Sequence, residues 1–171
     1  CIWVFWLIFL ALLPIKFWFD MENLEKYIPH KSIHLIDTWI KELEVIVKIS
    51  KSRTSKLGDF RVLKSGENQI SINQDLNKYA FLITITHEIA HAFVWKEYKR
   101  SVKPHGKEWK NIFKMLMLNF INTDIFPEVI LKPLGKHLKN PKASTYTDLD
   151  LTLVLKKYDC NKKLIIADIL D

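Results

Sequence analysis

Two histidines four positions apart, with a glutamate beside the first, lie in the stretch ITITHEIAHAFVW: His87, Glu88 and His91. On a helix, positions i and i+4 project from one face about one turn apart, so both imidazoles can reach a single metal ion. Glu88 is rotated off that pair, placed to act on a water at the ion rather than to bind the ion. Zinc lowers the pKa of such a water towards ~7, and the carboxylate can accept its proton and hand it to a leaving amine. The plain alternative is an apolar helix carrying hydrogen-bonded core histidines. Against it, His and Glu between Ile83 and Trp95 would bury polarity without compensation unless something polar binds there.

A hydrolytic zinc site needs a third protein ligand and one open position. The extended pattern with Gly at position 94 and His at position 97 is absent, because Val94 and Glu97 stand there. Glu108 is the nearest carboxylate that the following helix could supply. His105, in KPHGKEW, is the better candidate, since it begins that helix and Gly106 allows the backbone to turn close to a metal. Three ligands with an adjacent general base describe a hydrolytic site, not a structural one. His30 and His34 are also four apart but have no glutamate between them, so they are expected on the surface, and His137 has no placement near the pattern. Cys1 and Cys160 make neither a disulfide framework nor a CxxC knuckle, which suits a reducing, cytoplasmic compartment and leaves zinc to histidine and carboxylate. No residue is assigned to the reaction's oxyanion; Tyr79, Tyr98 and Arg100 are only nearby in the chain.

The elements that must position these residues can be read from periodicity. Ile33, Ile36, Ile40 and Leu43 fall on one helix face after Pro29, and Val45, Val47 and Ile49 then alternate as a strand. A basic loop follows, then strands near Phe60 to Leu63 and Gln69 to Ile72, joined by a Ser65-Gly66-Glu67-Asn68 turn. A long helix is expected from about Leu76 to Tyr98, capped by Asn73 or Asp75. Another runs from about Gly106 to Phe120, with Trp109, Ile112, Phe113 and Leu116 on its apolar stripe. Pro127 opens a short helix to about Leu138, and Thr147-Asp148-Leu149-Asp150 begins a last one to about Lys157. Leu164 to Ile169 has the pattern of a strand.

HEIAHAFVW followed by KPHGKEWKNIF resembles the SprT-like zinc metallopeptidase family, with RTSKLGDFRV and ISINQDLN upstream similar to its sheet segment. The resemblance implies zinc held by His87, His91 and His105, with Glu88 catalytic. It implies that Trp109, the aromatic residue after the His-Gly pair, packs rather than reacts. Relatives in this family include Spartan-type proteases that degrade proteins crosslinked to DNA, so the resemblance also suggests a DNA-associated protease. The paired cysteines of a C-terminal zinc ribbon, which many relatives carry, are missing from this chain.

With 171 residues, 49% hydrophobic and 26% charged, the chain has the composition of one globular domain rather than of a disordered protein. Its net charge of +7 favours polyanionic partners only as a field effect. The basic connector Lys96, Lys99, Arg100 and Lys103 flanks the site, so DNA lying there would deliver protein substrates to the metal. The plain alternative is a solvated helix end whose cations offset the helix dipole, and no aromatic interleaving for base stacking is apparent there. Residues 1–20 form an apolar leader, read as translated upstream sequence before a start at Met21 or as a membrane anchor. With Met21 as the start, no stable membrane association is expected. The expectation is an α+β, zincin-like domain over residues 21–159, with a small antiparallel or mixed sheet packed on the HExxH helix, and a truncated segment at 160–171. Its function is zinc-dependent hydrolysis of a protein or peptide substrate. The rivals are a non-enzymatic, zinc-stabilised DNA-binding module and a membrane-anchored zinc protease.

Overall fold

The computed structural model describes residues 24–143 and 148–159. The leader, the C-terminal strand and Thr147 lie outside these. Among the described residues no helix is long and apolar enough to cross a membrane.

After a single 3₁₀ turn at His30–Ser32, helix α1 spans Ile33–Glu42 and buries Ile36 and Trp39. The chain turns at Glu44, whose φ of 50° is left-handed, and enters β1, Val45–Ser50. Strands β2, Gly58–Val62, and β3, Asn68–Asn73, complete a sheet of order β1-β3-β2. The sheet is mixed: β1 runs parallel to β3, with Val47 opposite Ile70, while β2 runs antiparallel, with Phe60 opposite the same Ile70. β3 is therefore central, and its last four residues, Ile70 to Asn73, are buried. The Ser65-Gly66 turn forms as expected, with Gly66 at φ 90° and its N–H donating to the Leu63 carbonyl.

Helix α2, Lys78–Tyr98, is the centre of the molecule. It is apolar nearly all round because it is covered nearly all round, by β2 and β3 on one side and by α3, Lys107–Leu118, on another. Its cap is Asn77, whose side chain accepts from the Tyr79 and Ala80 N–H groups, and neither Asn73 nor Asp75 serves. Asn73 instead lies on β3, buried, where its amide donates to the carbonyls of Arg53 and Lys56 and its oxygen accepts from Arg53 Nε. Asp75 accepts from the Ser52 hydroxyl. Helix α4, Glu128–Lys139, and α5, Leu149–Lys156, pack on one another. Asp148 caps α5 by accepting from the Leu151 N–H, one residue after Thr147, the cap that the capping-box pattern would use.

Candidate metal centre

His87 and His91 lie one turn apart on α2, and His105 ends the connector to α3. The three Nε2 atoms converge: 3.1 Å separates His87 from His105, 3.2 Å His91 from His87 and 2.9 Å His91 from His105. Three donors bound tetrahedrally to one ion at roughly 2.0–2.1 Å would stand about 3.3 Å apart, so the triangle is within a few tenths of an ångström of a metal's requirement. Hydrogen bonds alone satisfy such a triangle poorly, because no N–H can point straight along two of its edges. Among the described residues these three are the group that could hold a metal ion.

The electrostatics suit a cation. Burial, then the neighbouring His91, His105 and His137, push His87 down to about 2. Burial and His105 push His91 down to about 3, and burial lowers His105. The rings are thus held neutral, with lone pairs available for coordination.

Trp109, fully buried at the start of α3, is the platform under all three rings. Its centroid lies 4.5, 5.3 and 4.7 Å from those of His87, His91 and His105. Its indole N–H donates to the His87 carbonyl at 3.3 Å, tying α3 to the ligand helix. Trp109 packs, as the resemblance implied.

The expected role of Gly106 changes. Its backbone is extended, at φ −71°, and the left-handed residue is His105 itself, at φ 58°. What Gly106 supplies is space, since a Cβ there would meet the Lys103 carbonyl at 2.9 Å. Histidine is one of the side chains that tolerates the left-handed region, so the ligand carries the turn.

Glu88 is buried on the side of α2 facing β2. Burial, with Asp59 nearby, pushes its carboxyl up to about 8, while the Phe60 N–H that it accepts from, Lys56 and Arg53 pull it down. Sequence reading passed over the partner that makes this position possible. A Cβ at Gly58, the first residue of β2, would lie 2.7 Å from Glu88 Oε1 and 2.8 Å from Thr84 Cγ2. The signal was there in the glycine opening a strand, which often marks a close approach of another group.

The other candidates separate. His30 and His34 are exposed, as expected. Glu108 is not in the converging group. His137 is buried against Asp148 and near enough to His87 to bear on its charge, which its place in the chain did not suggest. Tyr79 packs between Phe126 and Tyr158. Lys96 pairs with Glu42 at 3.2 Å. Lys99 and Arg100 lie over the Trp95 ring, at 5.4 and 6.0 Å from its centroid. Trp95, which precedes the basic connector in α2, thus gathers these two cations at its ring. Lys103 is exposed beyond them.

Comparison with known proteins gives matches that are local. The chain is 42% identical over 60 residues to Protein SprT of Vibrio parahaemolyticus, which is 33% of this chain and 36% of that protein. It is 54% identical over 35 residues to Protein SprT of Cronobacter sakazakii, 20% of each chain. The chain thus covers well under half the length of these curated relatives. No solved structure matches it. The SprT-like family matches residues 22–126, which is more than half of the chain and holds all three histidines and Glu88. On that match, the chain belongs to the SprT-like family.

Proposed function

We propose that this protein is a zinc-dependent metallopeptidase of zincin-like fold, with His87, His91 and His105 as the zinc ligands and Glu88 as general base. The observation that carries the proposal is the convergence of three ring nitrogens, two of them from the helix that also carries the buried Glu88. An all-histidine set with a fourth position open suits zinc among the common biological metals. The chemistry a bound zinc ion supplies is Lewis acidity, which makes water a nucleophile at neutral pH and polarises a peptide carbonyl.

The chain's own residues do the rest. Glu88 takes the proton of the attacking water and delivers it to the amine as the peptide bond breaks. Beside a bound dication its carboxyl titrates lower than about 8, towards the range in which a general base works at neutral pH. Gly58 leaves room for the carboxylate, and the Phe60 N–H orients it. β2 is an edge strand next to Glu88, so an extended peptide can pair along it and bring a carbonyl to the site.

The purified protein is expected to carry about one zinc per chain and to cleave unfolded casein until zinc is chelated. His105→Ala is expected to lose the zinc. Full zinc occupancy in that variant would remove His105 from the site.

A second part of the proposal concerns delivery. Lys99 and Arg100, gathered at the Trp95 ring, fit the phosphate backbone of a nucleic-acid strand, so the substrates are proteins associated with or crosslinked to DNA. Lys96, engaged with Glu42, contributes less than Lys99, Arg100 and Lys103. Replacing Lys99 and Arg100 by alanine is expected to weaken DNA binding and flatten its salt dependence. Unchanged binding would leave these cations as a solvated helix end. DNA binding with no proteolysis under any condition would point instead to the zinc-stabilised binding module.

A further inference from the structure

The basic loop between β1 and β2 carries Arg53 and Lys56. The register of the sheet shows which side that loop covers. Val47, Ile70 and Phe60 form one row across the three strands, and Ile49, Ile72 and Gly58 form another. A Cβ on Gly58 would meet Glu88, so these rows face α2. Alternation then sends Lys48, Ser71 and Asp59 to the outer side, with Ile46, Gln69 and Arg61 in the next row. Lys48 and Arg61 are exposed there.

Arg53 lies across the middle strand of this outer side. Its Nε donates to Asn73 Oδ1 at 2.8 Å, and its terminal nitrogens donate to the Ser71 hydroxyl at 3.1 Å and the Ser71 carbonyl at 3.2 Å. All three acceptors are neutral. A guanidinium has five N–H groups, so two are left over. Among the described residues no carboxylate pairs with Arg53. Asp59 is taken by Lys56 at 2.8 Å, Glu67 by the Ser65 hydroxyl and Asp75 by Ser52 of the loop itself. Lys48 has no carboxylate either, and Arg61 is bound to the neutral Gln69 Oε1 at 2.8 Å. A half-buried guanidinium fixed on neutral acceptors, with an exposed cation on the strand to either side, is a preformed place for an anion.

We propose that the outer face of the sheet is a second nucleic-acid contact, in which Arg53, Lys48 and Arg61 bind backbone phosphates of duplex DNA. Strands about 4.8 Å apart put β1 and β2 about 10 Å from one another across β3, and one DNA strand presents about three phosphates over that length. No aromatic side chain lies in the two outer rows, so the bases are not stacked on and stay paired. The contact is with the backbone and carries no sequence preference. β2 has this face on one side and its Glu88 contact on the other, so a protein attached to the DNA is presented beside the strand that borders Glu88. That consequence rests on the peptidase reading above; the binding itself does not.

The test is fluorescence anisotropy of a labelled DNA duplex with the full-length, zinc-loaded protein, between about 50 and 200 mM salt. Lys48→Ala with Arg61→Ala removes two contacts from exposed positions. Each contact is worth about 0.9 in the slope of log affinity against log salt, so the slope is expected to flatten by about 1.8. Lys132→Ala with Lys139→Ala, exposed on α4, makes the same change in net charge and is expected to alter the slope little. Equal slopes for the two double variants would overturn the proposal, because overall charge would then account for the binding. Binding of wild type to phosphatidylserine vesicles but not to the duplex would overturn it too. Arg53→Lys keeps the charge and loses the fixed fork, so it is expected to weaken binding several-fold, with zinc content reporting the fold. Wild-type affinity in that variant would remove Arg53 from the contact. The connector separates cleanly: binding unchanged in Lys99→Ala with Arg100→Ala, but weakened in Lys48→Ala with Arg61→Ala, would leave the sheet as the contact. DNA binding without cleavage would overturn the peptidase reading and leave this face standing.

Discussion

At the scale of single residues, the site depends on atoms that are missing as much as on those present. Gly58 is the example: Glu88 Oε1 occupies the space where its Cβ would be. Gly58→Ala should displace the carboxylate by an ångström or so, and misplacement of that size costs on the order of 10²-fold in rate. The expected result is a fall in kcat with zinc content and KM little changed; a kcat equal to wild type would show that Glu88 does not need this position. The titration of the buried groups gives a second prediction, for the metal-free protein. His87 and His91 are depressed to about 2 and about 3, so the unfolded chain binds more protons below its own histidine value and stability falls as pH drops below about 6.5. Glu88 has the opposite sign. Raised from 4.5 to about 8, it holds a proton when folded that the unfolded chain has lost, so its contribution to stability falls as pH rises through that window. Melting curves of metal-free Glu88→Gln and wild type should therefore diverge between pH 4.5 and about 8 in favour of the variant, then run parallel. A constant difference across that window would contradict a raised Glu88. The ligand types were legible in sequence because spacing on a helix is local. The left-handed backbone of His105 and the contact of Gly58 with Glu88 were not, because both depend on where the next element passes.

At the scale of elements, the loop before β2 is clipped to β3 through the Asn73 side chain. Asn73 donates to the Arg53 and Lys56 carbonyls and accepts from Arg53 Nε, while the Arg53 guanidinium also reaches Ser71. This clip fixes the approach to Gly58. Asn73→Ala leaves those carbonyls without their donor and should cost about 1–3 kcal/mol, measured by urea unfolding. A loss below a few tenths of a kcal/mol would mean that the loop finds other partners. The same residue shows where sequence reading ran out. Asn73, Asp75 and Asn77 are all plausible helix caps, and only strand pairing shows that Asn73 is still in the sheet, opposite Ser50 of β1. The parallel pairing of β1 with β3 was hidden for the same reason, since alternation identifies a strand but not its neighbour. The start of α5 was legible because the Asp148 cap is a local signal.

At the scale of the whole molecule, α2 is where stability and chemistry meet. One face seats it in the core and another carries His87 and His91 of the three-histidine centre, with Trp109 bridging the two. Metal binding to the folded state alone must then stabilise the entire domain, so adding zinc to metal-free protein should raise the melting temperature with zinc concentration. An unchanged melting temperature would place the ion outside the folded core. The central claim is that Glu88 acts on water at a zinc held by its histidine neighbours. The most direct test is Glu88→Gln, assayed for zinc content and for peptide cleavage alongside wild type. Zinc near one per chain with cleavage abolished is the predicted result. Cleavage at the wild-type rate with zinc bound would contradict the account.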